Sequence, residues 1–520
     1  MRDTMNDSLD TAIRSWCLAE LALWRARRLS YADIGAEYRR LNETRPWCFI
    51  FQIRDGQVSI AEKPPDLPPH RESQHRARLY LKFIQDTVTA HRLDVDTSFV
   101  IEVSDGGHRS DAAPIFVFQK QASSNAVLFP DFDFLGGNFY VEGDVVDRFD
   151  YLQKSASAMF VGSTSGAINT EKVVRTLASP RIRAAEYFRN SPHVRFMLPV
   201  IVQCDNPATE DLLRQMGYGK GERVPWKLQM MHRFIISMDG NGATCSRVAI
   251  ALNSNSVLLK YDSPHRLYYF SHLVPWRHYI PITADADVDG IVRMEQDQPG
   301  MFRFIADEGR AFAQRYLTRE AVSAYAAALI RCHAESFRRD GAVAMPAAPA
   351  AAEAEAGAGA GSASTAAAEP AVAAAVVFDC MGHIQNRGDV WVPGGTRLGE
   401  AGSRLQIEGI MLLWTADIGD LSYQGVLRDG TLTDAAHRGD FCGTRGRNTA
   451  LAGVRIVLSG AAAERLECAY AATFTDGSFC GPVPAGQVCQ ASTLAPLESL
   501  EIVLRLRVAG QAAAVSAESD

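Results

Sequence analysis

Apolar residues between Ser8 and Ser30 recur three and four apart. Leu9, Ile13, Trp16, Leu21 and Trp24 share one face, with Asp10, Arg14 and Glu20 set among them. This spacing predicts an amphipathic helix. A second helix precedes "PWCFIFQIRDGQVSIAE", Pro46 to Glu62, which reads as a hairpin. A helix follows from Glu72 to His91. Strand-like runs then cover Thr97 to Gly106, "APIFVFQKQ" and "NAVLFPDFDF". "SASAMFVGSTSGA" is a short strand running into a Ser/Gly turn. Helix is predicted over Arg181 to Asn190 and strand over Arg195 to Cys204. Strand, loop, helix and strand run from Arg233 to Ser263, and long helices occupy Asp307 to Arg339. Alternation of this kind predicts parallel sheets with helices on both faces, an α/β class. The front ~340 residues are long enough for two such domains facing across a cleft.

The pattern breaks at Gly341 to Ala375, almost all Ala, Gly, Pro, Ser and Glu. With no large apolar residue to bury, this segment is expected to be a flexible linker. The tail beyond it is short-stranded and rich in turns. "RLQIEGIMLL", "NTALAGVRIVL" and "LAPLESLEIVLR" recur, with Glu408, Ala452 and Glu498 in register. Three such units of ~45 residues suggest an all-β pseudo-threefold module.

Composition narrows the functional classes. The chain has 520 residues, 47% of them hydrophobic, and a net charge of -7. No broad basic surface is implied, so a nucleic-acid partner is not expected. The N-terminal apolar pattern is interrupted by charge, unlike a secretory signal, and no run approaches the ~18 residues of a membrane span. The expected compartment is the cytoplasm, at most with peripheral attachment at an inner membrane. None of the ten cysteines forms a CxxC pair, so zinc-ribbon and thioredoxin readings fail. Most read as small buried apolar residues. Cys442, Cys468, Cys480 and Cys489 cluster in the tail, where a disulfide is an open alternative that a cytosolic location disfavours.

The chemistry concentrates in "DGNGATCSR", Asp239 to Arg247, between an apolar strand and a helix. Gly240 and Gly242 let the backbone turn sharply and approach a ligand closely. Ala243, Thr244 and Ser246 are small and leave the first helical N–H groups open to an anion. Arg247 offers a bidentate fork suited to a pyrophosphate. The alternative is an ordinary tight turn with a structural ion pair. Neither a Walker loop nor the GxGxxG fingerprint is present. "PDFDF", Pro130 to Phe134, interleaves its acids with aromatics, so no metal site is expected there.

The run "MDGNGATCSRVAIALNSNSVLLKYDSPHRLYYFSHLVPWRHYIPI", Met238 to Ile282, resembles the signature of glycosyltransferase family 90. That family includes fungal capsule xylosyltransferases and animal protein O-glucosyltransferases. Its pattern is a DGxG turn, an arginine near the helix start, S-x-V-x-x-K, S-P and L-x-P-W-x-H-Y-x-P-[IV]. These fall here at Asp239–Gly242, Arg247, Ser256–Lys260, Ser263–Pro264 and Leu273–Ile282. The resemblance spans roughly residues 95–335. It implies a GT-B-like pair of Rossmann-like domains, the second binding a UDP-sugar. Residues 1–95 would form a helical region with the hairpin, 96–190 the acceptor domain and 191–340 the nucleotide-sugar domain. The linker at 341–375 and the repeat module at 376–520 would follow. The resemblance further implies inversion at the anomeric carbon without a metal. The turn from Gly240 to Ser246 and Arg247 would then stabilise the leaving diphosphate, and Asp262 would join the donor site.

An inverting transfer needs one general base for the acceptor hydroxyl. Asp105, in "FVIEVSDG", falls where the family keeps its aspartate; Ser104 replaces an arginine common there. Asp131 and Asp133 are the fallback. "MFVGSTSG" resembles the family's FRGS strand-to-turn, so Gly162 and Ser163 should approach the donor. Val161 replaces the family's arginine, and Arg181 or Arg183 is placed to restore the charge. Trp276 and His278 read as packing residues. The tail from His383 to Leu412 resembles the bacterial hydrophobic-W repeat, with Asp389 where tryptophan is usual. That implies a module binding carbohydrate or a protein partner.

The leading expectation is a bacterial glycosyltransferase of lipopolysaccharide, capsule or other polysaccharide synthesis. It would move glucose or xylose from a UDP-sugar to a glycan, lipid-linked glycan or protein. The alternatives are a catalytically inactive relative that binds glycans as a scaffold, and a nucleotide-sugar hydrolase or epimerase.

Overall fold

The computed structural model describes residues 2–27, 29–44, 47–63, 71–105, 112–220, 224–336, 376, 378–414, 419–445 and 447–507. The segment 341–375 lies outside the described residues. The chain divides into two compact units, residues 1–147 with 156–355, and residues 148–155 with 356–520.

The first unit is a mixed α/β structure. The hairpin folds as β1 (Cys48–Arg54) and β2 (Gln57–Glu62). Its turn residues Asp55 and Gly56 have φ of 50° and 72°. Two successive left-handed residues give the twist that tight hairpins prefer. β1 pairs antiparallel with β3 (Thr97–Glu102). β4 (Ile115–Val117) leads through the two-residue β5 (Lys120–Gln121) to β6 (Val127–Leu128). β4 and β6 run parallel to β3, giving the sheet order β2-β1-β3-β4-β6. Neighbouring rings link this sheet: Phe51 to Phe99 at 6.2 Å, Phe99 to Phe116 at 5.0 Å, Phe116 to Phe129 at 5.5 Å. Such rings supply much of the apolar burial that holds a core together. The N-terminal helix Arg2–Glu20 buries Ile13 and Cys17 against this unit, and the Cys17 thiol reaches the carbonyl of Tyr325.

A second sheet has the order β12-β10-β9-β7-β8. It is built from β7 (Ser155–Ser163), β8 (Val194–Val200), β9 (His232–Ser237), β10 (Val257–Tyr261) and β12 (Ile280–Ile282). β10 runs parallel to β9 and β12, and β7 parallel to β8. The short β11 (His265–Arg266) pairs antiparallel with β5, so the loop after β10 is tied to the first half.

Two expectations need correction. The change from first to second sheet falls between Leu128 and Ser155, not at 190/191, and the hairpin expected in a separate region joins the first sheet. The cause is β7: its apolar core from Ala158 to Val161 is buried and pairs with the second sheet. "NAVLFPDFDF" is strand only at Val127–Leu128, and Phe132–Gly136 is helical. Asp131 accepts the Asp133 N–H and caps that turn, which overrides the strand preference of the aromatics.

In the second unit beyond residue 375 the described elements are eleven strands, from Phe378–Ile384 to Leu497–Leu506, and one short helix, Gly460–Arg465. Met381, Tyr423 and Tyr470 are buried, each seven residues before a turn glycine of positive φ: Gly388, Gly430 and Gly477. Tyr423 Oη accepts from Leu412 N at 3.1 Å, and Tyr470 Oη from Ile456 N at 3.1 Å. Glu498 accepts the N–H groups of Gly402 and Arg404, which fixes a loop distant in sequence. All ten cysteines are free thiols, including the four of the tail.

Candidate functional site

Parallel strands deliver their carboxyl ends, and the loops that follow, to one edge of each sheet. At the first sheet these loops carry Asp105 after β3, Gln119 after β4 and Asp131 after β6. At the second they carry Gly162–Gly166 after β7, Asp239–Gly242 after β9 and Asp262–Ser263 after β10. The two edges meet. A Cβ on Gly242 would lie 2.1 Å from Gln119 Nε2, so a side chain here would displace the Gln119 amide. Gln119 Nε2 donates to the main-chain carbonyl of Asp105 at 2.6 Å. One side chain therefore joins the Asp105 strand end to the glycine turn.

Arg181 holds the second sheet's edge together. Its Nε donates to Asp239 O at 3.0 Å and Nη2 to Met238 O at 2.9 Å. Nη1 donates to Ser163 O at 3.1 Å and Ser165 Oγ at 2.9 Å. Burial pulls this guanidinium down to about 10, with Asp239 opposing the fall. A Cβ on Gly240 would lie 2.7 Å from Ser165 Oγ and 3.0 Å from Arg181 Nη2. A side chain at Gly240 would therefore crowd the Ser165 hydroxyl first and the Arg181 guanidinium behind it. Of the two arginines expected here, Arg181 lies against the turn. Arg183 is half exposed and pairs instead with Asp285 at 3.1 Å.

Arg247 sits on the helix Cys245–Asn253, behind the turn. Nη1 donates to Gln229 at 3.3 Å, and Nη2 donates to the carbonyl of Val161. The guanidinium packs on the rings of Phe160 at 4.7 Å and Trp226 at 5.2 Å. Its Nε is buried with no hydrogen-bond partner. Burial and the like charge of Arg181 draw it down to about 9. Among the described residues no carboxylate pairs with Arg247. Two guanidiniums therefore share the ground beneath one turn, with a single carboxylate, Asp239, near enough to favour either. Desolvated charge of one sign is costly until an anion joins it.

The helix behind the turn has no side-chain cap at Thr244, whose hydroxyl bonds Ser237 at 2.5 Å instead. Ala243 packs on the core. Ser246 sits beside Asp133 and favours its ionised form, against burial, which raises Asp133. Asp131 is buried, and burial and then Asp133 raise it to about 7. One of its oxygens has no hydrogen-bond partner.

Asp105 is different. Its carboxylate is half exposed and accepts from Arg76 Nη1 at 2.9 Å. Ser104 hydrogen-bonds Glu102. Beside the turn, Asp239 binds the Ser263 hydroxyl and His265 Nδ1, the latter at 2.8 Å. Ser263 also lines a cavity of about 240 Å3 with Lys260, Asp262, Arg266, Phe270 and Tyr279. Lys260 stands over the Phe270 ring at 4.8 Å, and burial lowers its ammonium below the usual lysine range. His278 is buried and accepts from Val274 N, a packing role as expected. Trp276 is not a packing residue: it is 54% exposed.

The sequence did not single out Gln119 or Arg76. Gln119 carries no motif. Arg76 stands four residues after Glu72 and reads as half of a solvated helical pair. Its side chain is only 13% exposed, a fact set by tertiary packing. Among the described residues no group of three or more His, Cys, Asp or Glu is placed to hold a metal ion. No helix there is long and apolar enough to cross a membrane.

The carboxyl ends of the two sheets thus meet around the turn from Asp239 to Gly242. The family model for glycosyl transferase family 90 matches residues 93–358, just over half of the chain, and the chain belongs to that family. It is also similar to zebrafish (Danio rerio) Protein O-glucosyltransferase 2, with 30% identity over 105 residues. That match covers 20% of this chain and 21% of the zebrafish protein.

Proposed function

We propose that this protein is an inverting, metal-independent glycosyltransferase with a GT-B-like arrangement, moving glucose or xylose from a UDP-sugar to a hydroxyl of a glycan or protein. The observation that carries this reading is the pair of guanidiniums, the buried Arg181 and the partly buried Arg247, beneath the turn from Gly240 to Ser246. A diphosphate above them relieves their mutual repulsion, and the open helix end adds main-chain donors. Gly162 and Ser163 bound the site from β7. Asp262, Lys260 and Arg266 border the adjoining cavity, whose size suits a sugar ring or a phosphoryl group.

In the transfer, the acceptor oxygen attacks the anomeric carbon as the bond from that carbon to the diphosphate oxygen breaks. The hydroxyl proton passes to Asp105, and the negative charge that develops on UDP is met by the turn and its arginines. Asp105 suits the base role better than Asp131, whose carboxyl stays protonated to about pH 7. The tail is read as a pseudo-threefold β module that binds carbohydrate or a protein partner.

Calorimetry of UDP binding in EDTA tests the carrying observation. Wild type should bind, and Arg247→Met should weaken binding by about tenfold or more. Arg247→Lys, which keeps charge but not the fork, should fall between. Equal affinity in all three would remove Arg247 from the site.

A further inference from the structure

We infer that Arg76, on the helix Arg71–Ala90, is a positioning residue that aims Asp105 at the acceptor hydroxyl. The inference rests on the reading of Asp105 as the general base. One nitrogen, Arg76 Nη1, donates to both Val103 O at 2.8 Å and Asp105 Oδ1 at 2.9 Å. The carboxylate is thus tied to the end of its own strand, β3. Arg76 Nε is held by Glu72 at 3.0 Å, and the guanidinium lies 4.1 Å over the Phe132 ring. The side chain is 13% exposed while that of Asp105 is 50% exposed, so a fixed cation orients an accessible carboxylate. Gln119 fixes the Asp105 main chain from the other side at 2.6 Å. Only Oδ1 is engaged by Arg76, which leaves Oδ2 for the proton of the incoming hydroxyl. A freely rotating carboxylate would present its lone pair correctly for only part of the time, and misplacement of a reacting group is expensive in rate.

The test compares Arg76→Met, Arg76→Lys, Asp105→Asn and the double variant Arg76→Met/Asp105→Asn in the full chain. UDP release from UDP-glucose and UDP-xylose is followed with water as acceptor. Arg76→Met keeps the length and the contact with Phe132. It should lower kcat about 10–100-fold, with donor KM and UDP affinity within about twofold of wild type. Millimolar guanidinium ion should restore part of that loss in Arg76→Met and none in the double variant. In the Asp105→Asn background, Arg76→Met should have no further effect. Wild-type kcat in Arg76→Met alongside an inactive Asp105→Asn overturns the positioning role and leaves the base assignment standing. Wild-type turnover in Asp105→Asn overturns the base assignment itself. A loss in Arg76→Met that is shared by UDP affinity, lowers Tm and resists guanidinium marks a structural role and overturns the inference.

Discussion

Replacing Asp131 by asparagine should change how the first unit's stability depends on pH. Asp131 is 2% exposed and caps the Phe132–Gly136 helix through Oδ1, which accepts Asp133 N at 2.9 Å. Asparagine keeps that acceptor. Burial and the neighbouring Asp133 raise the carboxyl from 3.8 to about 7. Below pH 3.8 folded and unfolded chains both carry the proton, and the group contributes nothing. Between pH 4 and 7 the unfolded chain loses it while the folded chain retains it, so unfolding becomes easier as pH rises. Above about pH 7 the full penalty stands. A rise of this size is worth about 4 kcal/mol at most, or about 5 °C in Tm for a unit of this length. Thermal unfolding of wild type and Asp131→Asn between pH 5 and 8 reads it directly. The variant should gain on wild type as pH increases. Parallel Tm curves across that range would refute the claim that this carboxyl is held protonated.

Three other outcomes follow from the same geometry. Arg181→Met should destabilise the first unit by about 3–5 kcal/mol, since the carbonyls of Ser163, Met238 and Asp239 lose their donor; denaturant unfolding measures it. Gly242→Ala should cost about 1–3 kcal/mol and reduce turnover, because the new Cβ would overlap Gln119. Adding Gln119→Ala should recover the stability, and no recovery would show that the overlap is not the cause. Tyr423→Phe should leave Leu412 N unpaired in the second unit at a cost of about 1–3 kcal/mol, seen as faster hydrogen exchange at that amide.

Local rules carried much of the fold. The hairpin is legible because Asp55-Gly56 supplies two left-handed residues, and the helix Arg71–Ala90 because its apolar residues keep helical spacing. In the tail, turn glycines at 388, 430 and 477 each follow a buried residue by seven positions, a spacing visible in the sequence. "PDFDF" misled because a capping aspartate two residues before its partner outweighs the strand preference of phenylalanine. The sheet boundary was misplaced because β7 and β8 are separated by a loop and short helices, a spacing that also suits a domain start. At the candidate site, the turn glycines were named from their pattern and Asp105 from the family resemblance. What Arg181, Arg183 and Arg247 touch could not, since an arginine's partners lie 16 to 102 residues away here. Arg76 and Gln119 were invisible for the same reason. Each acts through a contact between strands or helices far apart in sequence.

The most direct measurement of the central claim is UDP release from the purified full chain across UDP- and GDP-sugars, with and without EDTA and with glycan and peptide acceptors. Release from one UDP-sugar is expected, unaffected by EDTA, with a product of inverted anomeric configuration. Release that EDTA abolishes, a product of retained configuration, or no turnover together with no stabilisation by UDP would contradict it.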